Sequence, residues 1–378
     1  MAKVANKLSA VEQRIPVACT DEGAAIVFLE EQRGWVADAD AFCPKCGVHG
    51  ESRRMKSKTG ERNARFLWRC TACKTQFTVK NGTIMEDSAI PHRIWCLAFF
   101  RAASSKKGVS ALQMQRETGL TYKSALFLMH RIRWAMAPAN ANEWKLGGNG
   151  EIVEYDETYV GGEPRGHVRY RKPLTETGGR VGGPPADFKD RKTPVVAGVE
   201  RGGRVKAKVV PNLTAATLGK QVTAMVDTNA NLQTDQSNAY KAIGQRFASH
   251  ERIRHNAGQY VRYTKEDVQV TTNRIEGFWS GLKRQLHGTH TSVSRKHLHR
   301  YVSEVEFKYN NRNLTDGERT VKLIQACDSR RLTYRSQLQF TDKDGRLRGK
   351  RDSLPCPKTR GSDSGPGRKT SGPRLTSS

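Results

Sequence analysis

Three acids that lie far apart in the chain could together hold cations. Asp156 stands in Glu154-Tyr-Asp-Glu-Thr, Asp235 in Thr234-Asp-Gln-Ser, and Glu276 in Asn273-Arg-Ile-Glu-Gly. Carboxylates brought face to face repel one another unless cations neutralise them, and the oxygen-seeking occupants of such a site are hard divalent ions, Mg²⁺ or Mn²⁺. Two such ions about 4 Å apart can activate an attacking oxygen and stabilise a leaving one in phosphodiester transfer. Lys283 follows Glu276 by seven residues, two helical turns, so both would project from one side of a helix. The residues alone leave alternatives open: Glu154 or Glu157 could replace Asp156, and Asp235 could cap the helix that follows it.

The elements that must position these groups are readable. In Thr271 to His287, Ile275, Phe278, Trp279, Leu282 and Leu286 recur at helical spacing, predicting an amphipathic helix with Glu276 and Lys283 on the border of its apolar stripe. Glu151 to Val160 reads as a strand. Pro194 to Glu200 and Arg204 to Val210 flank Gly202-Gly203 as a hairpin, its second arm leaving Lys206 and Lys208 on a wet face. Ala215 to Val226 predicts a helix, Asn231 to Thr234 a strand and Ser237 to Phe247 a helix. This order belongs to an α/β layer fold with a mixed sheet, over about residues 150–315. Leu298, Tyr301, Val302, Val305 and Tyr309 form a further helical stripe. Trp279 is expected in the core.

Before this region the chain is of another kind. Cys43-Pro-Lys-Cys46 and Cys70-Thr-Ala-Cys73, with strand-like Arg65 to Arg69 and Gln76 to Val79, predict a zinc ribbon over residues 41–82 with four thiolates on a structural Zn²⁺. The other four cysteines (Cys19, Cys96, Cys327 and Cys356) have no ligand spacing. Residues 1–40 give only a weak lead-in. Over 88–137, Ile90 to Ala103 reads as a helix, and Val109 to Glu117, a turn at Gly119 and Tyr122 to Met136 read as helix-turn-helix. Lys123, Arg131 and Arg133 would face a DNA major groove, with His130 on the same polar side.

Composition agrees. The formal charge of +28 over 378 residues calls for a polyanionic partner, since released counterions drive nucleic-acid binding. No apolar run is long enough to span a membrane, and the N-terminus lacks a signal-peptide core. A cytosolic, nucleoid-associated protein is expected. Residues 163–193, rich in glycine, proline and basic groups, suggest a loop that could touch DNA. Residues 341–378 hold ten basic side chains against four acidic ones and read as a disordered basic tail.

Five strings, DETYVGG at 156–162, VAGVERGG at 196–203, TDQSNAY at 234–240, NRIEGFWSGLKR at 273–284 and KHLHRYVSEVEFKYNNR at 296–312, closely resemble bacterial insertion-sequence transposases of the ISXO type. CTACKTQFT and SALQMQRETGLTYKSALFLMHRIR (110–133) resemble that group's DNA-binding region, and the likeness runs over roughly 40–315. The group pairs a zinc ribbon with an RNase-H-like domain bearing an aspartate, aspartate, glutamate or asparagine, and lysine signature. The resemblance implies metal-binding roles for Asp156, Asp235 and Glu276, a phosphate contact for Lys283, and a DNA-contacting or paired role for His255. Asn273 is the other candidate for the third acid's role; Thr271 and Thr272 stand where many relatives have a histidine. It further implies double-stranded DNA as partner, in the form of element ends and target, Mg²⁺-dependent cleavage and strand transfer, and a homo-oligomer that unites two ends. The alternative is a catalytically retired, transposase-derived DNA-binding regulator.

Overall fold

The structure is a computed structural model that describes residues 10–38, 40–139, 144–161, 192–253, 261–265 and 267–333, with two short pieces at 340–341 and 347–348. The loop at 163–193 lies almost wholly outside the described residues, His255 entirely so, and the basic tail largely so. Residues 1–338 form one compact unit. In the second, residues 339–378, a short antiparallel pairing of Phe340–Thr341 with Leu347–Arg348 is described.

Residues expected only as a lead-in form two helices, α1 (Ala10–Thr20) and α2 (Glu22–Gln32). Their apolar residues follow no sharp stripe because several neighbours cover them: Ile15, Ala25, Phe28 and Leu29 share one core with the ribbon and with α3 (His92–Ser104), α4 (Ala111–Thr118) and α5 (Tyr122–Met136). The ribbon is a three-stranded antiparallel sheet, β1 (Ser52–Arg54), β2 (Trp68–Cys70) and β3 (Gln76–Phe77). Trp35 sits at its centre, edge-on to Phe42, Trp68 and Phe77 at 5.5–5.8 Å, while buried Glu30 of α2 accepts the Trp68 Nε1 hydrogen at 2.7 Å. The helix-turn-helix forms as read: Ser110 and Thr121 cap the two helices, and Gly119 takes the left-handed turn between them at φ 71°. Glycine reaches that region without the Cβ clash that penalises other residues.

The second half is built on a five-stranded sheet: β4 (Ile152–Val160), β5 (Thr193–Glu200), β6 (Val205–Val209), β7 (Asn231–Asp235) and β8 (Ser249–Ile253), in the order β6-β5-β4-β7-β8. The first three form an antiparallel meander, and β7 and β8 run parallel to β4. This is the mixed α/β, RNase-H-like architecture expected. One face packs on α6 (Ala215–Met225) and α7 (Ala239–Gly244) through Val153, Tyr155, Val196 and Leu232. The other packs on α8 (Asn273–Gln285) and α9 (Leu298–Asn310) through Val195, Ala197, Val199, Ile275, Phe278 and Val302. Lys206 differs from its expected wet position. Trp144 lies over it at 4.2 Å and accepts its ammonium at the backbone carbonyl, so the aromatic side chain buries the lysine.

Strand β8 and a further helix lie beyond the expected elements. β8 carries the polar run Ser-His-Glu-Arg, which hides an edge strand. Helix α10 (Asp316–Gln325) opens with a capping box between Thr315 and Glu318 and returns to the N-terminal core. Arg319 donates to Ala103 O at 2.9 Å, and Asp328 pairs with Arg33 at 2.9 Å.

Candidate active site

Alternation along β4 decides which acids meet α8. Val153 and Tyr155 enter the core under α6 and α7, so Glu154 and Asp156 turn to the opposite face. There buried Glu154 accepts the backbone N–H groups of Arg274 at 2.8 Å and Ile275 at 3.2 Å, a carboxylate on the orphan donors of the helix N-terminus. Arg201 braces it, reaching Glu154 Oε1 at 3.4 Å, Gln233 Oε1 at 3.0 Å and Gln269 O at 2.7 Å. Gln233 in turn accepts Thr271 N at 3.0 Å. This network ties the start of α8 to β4 and β7, the two strands that carry the aspartates. Its members gave no sequence signal beyond the bare string EYDET.

Asp156 lies one alternation further along β4, and Trp279 Nε1 of α8 donates to its Oδ2 at 3.0 Å. Trp279 is 4% exposed, so the expected core residue also fixes the orientation of the carboxylate. Burial pushes the Asp156 carboxyl up to about 6, against the hydrogen bonds from Glu157 and Trp279, and the charges of Asp235 and Glu276 push the same way. The structure therefore brings the three acids into one electrostatic neighbourhood. Asp235 ends β7 and accepts Ser237 N at 3.0 Å, holding the turn into α7. Glu276 and Lys283 are both exposed on α8, two turns apart, and Asn273 is exposed one turn before Glu276. Glu157 turns toward α7, where Tyr240 donates to it; burial pushes its carboxyl up to about 7. Of the open alternatives, Glu154 is thus committed to the helix terminus and Glu157 to Tyr240.

The cysteines form a tighter cluster. Cys43 Sγ and Cys73 Sγ are 3.5 Å apart, Cys46 Sγ and Cys70 Sγ 3.8 Å, and all four sulfurs lie within 4.8 Å of one another. A tetrahedron with Zn–S bonds of about 2.3 Å has edges of about 3.8 Å, so these donors fit a structural zinc ion. Among the described residues no three carboxylates approach as closely.

The expected DNA-facing residues divide. Lys123 is exposed at the start of α5. Arg131 and Arg133 are not: they are 6% and 1% exposed. Arg131 donates to Ile84 O at 2.8 Å and Glu86 O at 2.9 Å. Arg133 donates to Glu304 Oε2 of α9 at 2.7 Å and Val109 O at 3.1 Å, its guanidinium 4.2 Å from the Tyr301 ring centroid. Both therefore bind the helical region to its neighbours and do not face a groove, and His130, at 2% exposed, is buried with them. Their polarity suggested the outer side of α5, but Arg131 is covered by the segment at Ile84 to Glu86 and Arg133 by α9.

Comparison with known proteins agrees with this architecture. Residues 145–310 match the ISXO2-like transposase domain, and residues 20–76 the transposase zinc-ribbon domain, which takes in α2. The chain joins a transposase zinc ribbon to an ISXO2-like transposase domain. A relative described as an uncharacterized protein in transposable element ISH50 of Halobacterium salinarum is 26% identical over 71% of this chain and 84% of its own length. An uncharacterized transposase-like protein of Haemophilus influenzae is 28% identical over 29% of this chain and 82% of its own. Among the described residues no helix is long and apolar enough to cross a membrane.

Proposed function

We propose that this chain is an insertion-sequence transposase that binds the terminal inverted repeats of its element and catalyses Mg²⁺-dependent cleavage and strand transfer at Asp156, Asp235 and Glu276. The observation that supports it most is that the hydrogen-bonded neighbours β4 and β7 carry Asp156 and Asp235, while α8, which bears Glu276, is pinned to Asp156 Oδ2 by Trp279 Nε1 at 3.0 Å. Carboxylates gathered on one face repel one another unless a cation neutralises them, and hard divalent ions are the oxygen-seeking occupants of such a site.

Mg²⁺ held by these carboxylates would supply charge to activate a nucleophilic oxygen and stabilise a leaving one. The chain's own residues do the rest. Trp279 keeps Asp156 Oδ2 in one orientation, and Glu154 with Arg201 fixes the start of α8, hence the height of Glu276 over β4. Lys283 meets a phosphate near the scissile bond as a point charge. Water attacks the phosphodiester at the element end and exposes a 3′-hydroxyl, which attacks a target strand without a protein–DNA covalent bond. Lys123 and the exposed start of α5 contact DNA, and a homo-oligomer in the cytoplasm, at the nucleoid, unites the two ends.

The test is a strand-transfer assay with labelled element-end duplex, plasmid target and Mg²⁺, run beside Asp235→Asn. Joined product from the wild type and none from the variant is expected. Tight end binding with neither cleavage nor joining, in Mn²⁺ as well, would overturn the reading.

A further inference from the structure

Where α5 meets α9, the chain buries positive charge that it does not neutralise. Helix α8 continues into a wider π turn, Leu286–His290, which brings His290 to within 4.8 Å of the Tyr301 ring, measured between centroids. His130 of α5 lies 4.6 Å from His297, which directly precedes α9, and 6.0 Å from Tyr301. Arg300 stands in the same cluster and is 5% exposed. Its Nε and Nη1 have no hydrogen-bond partner among the described residues, and neither do His130 Nδ1, His290 Nε2 and His297 Nδ1.

The carboxylate at this junction is already committed. Glu304 accepts Arg133 at 2.7 Å and Lys308 at 2.7 Å. A buried guanidinium without a counter-charge costs several kcal/mol. Burial and the nearby cations act in one direction here, lowering Arg300 to about 10, His130 to about 2, and His290 and His297 to about 4. The two unpartnered nitrogens of Arg300, with those of His130 and His297 near it, leave hydrogen-bonding capacity for an anion, and a guanidinium fork matches a tetrahedral oxyanion. His297 is half-buried and His299 exposed, so the cluster opens to solvent on that side.

We propose that this junction binds a phosphate-class oxyanion, held by Arg300 with His130 and His297 beside it. The source is a backbone phosphate of bound DNA or free phosphate. The π turn begins ten residues beyond Glu276 on one continuous helical run, roughly 15 Å at helical rise, so a strand lying along α8 could reach it. The proposal does not need the acidic centre to cut DNA, and a failure of the strand-transfer assay would leave it standing.

The experiment titrates sodium phosphate into the full-length, zinc-loaded protein against chloride at matched ionic strength, reading thermal stability and heat of binding. The wild type should gain stability with phosphate. Arg300→Gln should lose that gain, yet be at least as stable as the wild type in phosphate-free buffer, because an uncompensated buried charge is gone. His297→Gln, at the half-buried edge, should weaken the gain without unfolding the chain. A parallel arm measures binding to an element-end duplex across salt concentrations. A slope of log K on log salt shallower by about 0.9 in Arg300→Gln assigns a DNA phosphate; an unchanged slope with the phosphate response lost assigns the free ion. The proposal is overturned if the wild type ignores phosphate and the slope is unchanged. It is equally overturned if Arg300→Gln is destabilised in phosphate-free buffer but keeps the full phosphate response.

Discussion

Replacing Glu304 by Gln removes the one negative charge that serves two buried cations. Glu304 is fully buried, Arg133 is 1% exposed, and Lys308 also donates to it. Burial alone would raise this carboxyl, but Lys308 and Arg133 outweigh it and hold it at about 2. Against an ordinary value of 4.5, that depression corresponds to about 3 kcal/mol of stability. Breaking a buried pair from one side costs about 3–5 kcal/mol by a separate route, so both lines of reasoning converge. A depressed carboxylate contributes above its unfolded pKa and loses that contribution as pH falls through its folded one. Glu304→Gln should therefore lower stability by about 3 kcal/mol at pH 7, and the difference should shrink below pH 4.5 and be nearly gone by about 2. Urea unfolding followed by tryptophan fluorescence measures this, as a fall in midpoint with little change in slope. A Glu304→Gln unfolding free energy within about 0.5 kcal/mol of wild type would refute the reasoning. So would Arg133→Met folding like the wild type while losing DNA affinity, since that would restore the groove-facing role its sequence suggested.

Other outcomes follow from the same structure. Asp156 is raised to about 6 from 3.8, so its charge opposes folding fully above pH 6 and not at all below 3.8. In Mg²⁺-free buffer at pH 8, Asp156→Asn should melt above the wild type, the gap closing near pH 4; added Mg²⁺ should stabilise the wild type and leave the variant unmoved. Cys43→Ser, or zinc removal by a chelator, should lower the melting temperature of the whole 1–338 unit, because Cys43, Cys70 and Trp68 belong to the core shared with α1–α5; elemental analysis should find one zinc per chain in the wild type. Gly147→Ala should destabilise by more than about 2 kcal/mol in the same unfolding assay, because Gly147 has φ 76° and an added Cβ would lie 2.3 Å from Ala230 Cβ and 2.6 Å from Val153 Cγ2. Lys123→Ala, by contrast, should leave stability unchanged and weaken DNA binding across all sequences, as loss of a phosphate contact does.

The amphipathic helix was legible because its stripe is dense: five apolar residues at helical spacing all reached the core facing β5 and α9. The hairpin at Gly202-Gly203 and the cysteine pairs were legible for a similar reason, since a turn and a tetrahedral ligand set impose local spacing. What escaped was non-local. Helices α1 and α2 are covered from several sides by the ribbon, α3 and α10, so no single apolar face marks them. Arg131 and Arg133 look like an outer face until the Ile84 to Glu86 segment closes over the first and α9 over the second, and nothing in α5 announces a partner 171 residues away. The capping-box pattern Thr315-Asp-Gly-Glu318, by contrast, is a local signal that marks the start of α10. In the site, sequence spacing could nominate acids but could not show that β4 turns Asp156 toward Trp279 and Glu157 toward Tyr240.

The central claim is that Asp156, Asp235 and Glu276 form one DNA-cleaving centre. It is tested most directly by single-turnover cleavage of labelled element-end duplex in Mg²⁺, comparing the wild type with Glu276→Gln and Asn273→Ala, with end binding measured on the same samples. Glu276→Gln should cut no faster than background while binding ends normally, and Asn273→Ala should still cut. Cleavage retained in Glu276→Gln and abolished in Asn273→Ala would contradict it and give the third position to the asparagine.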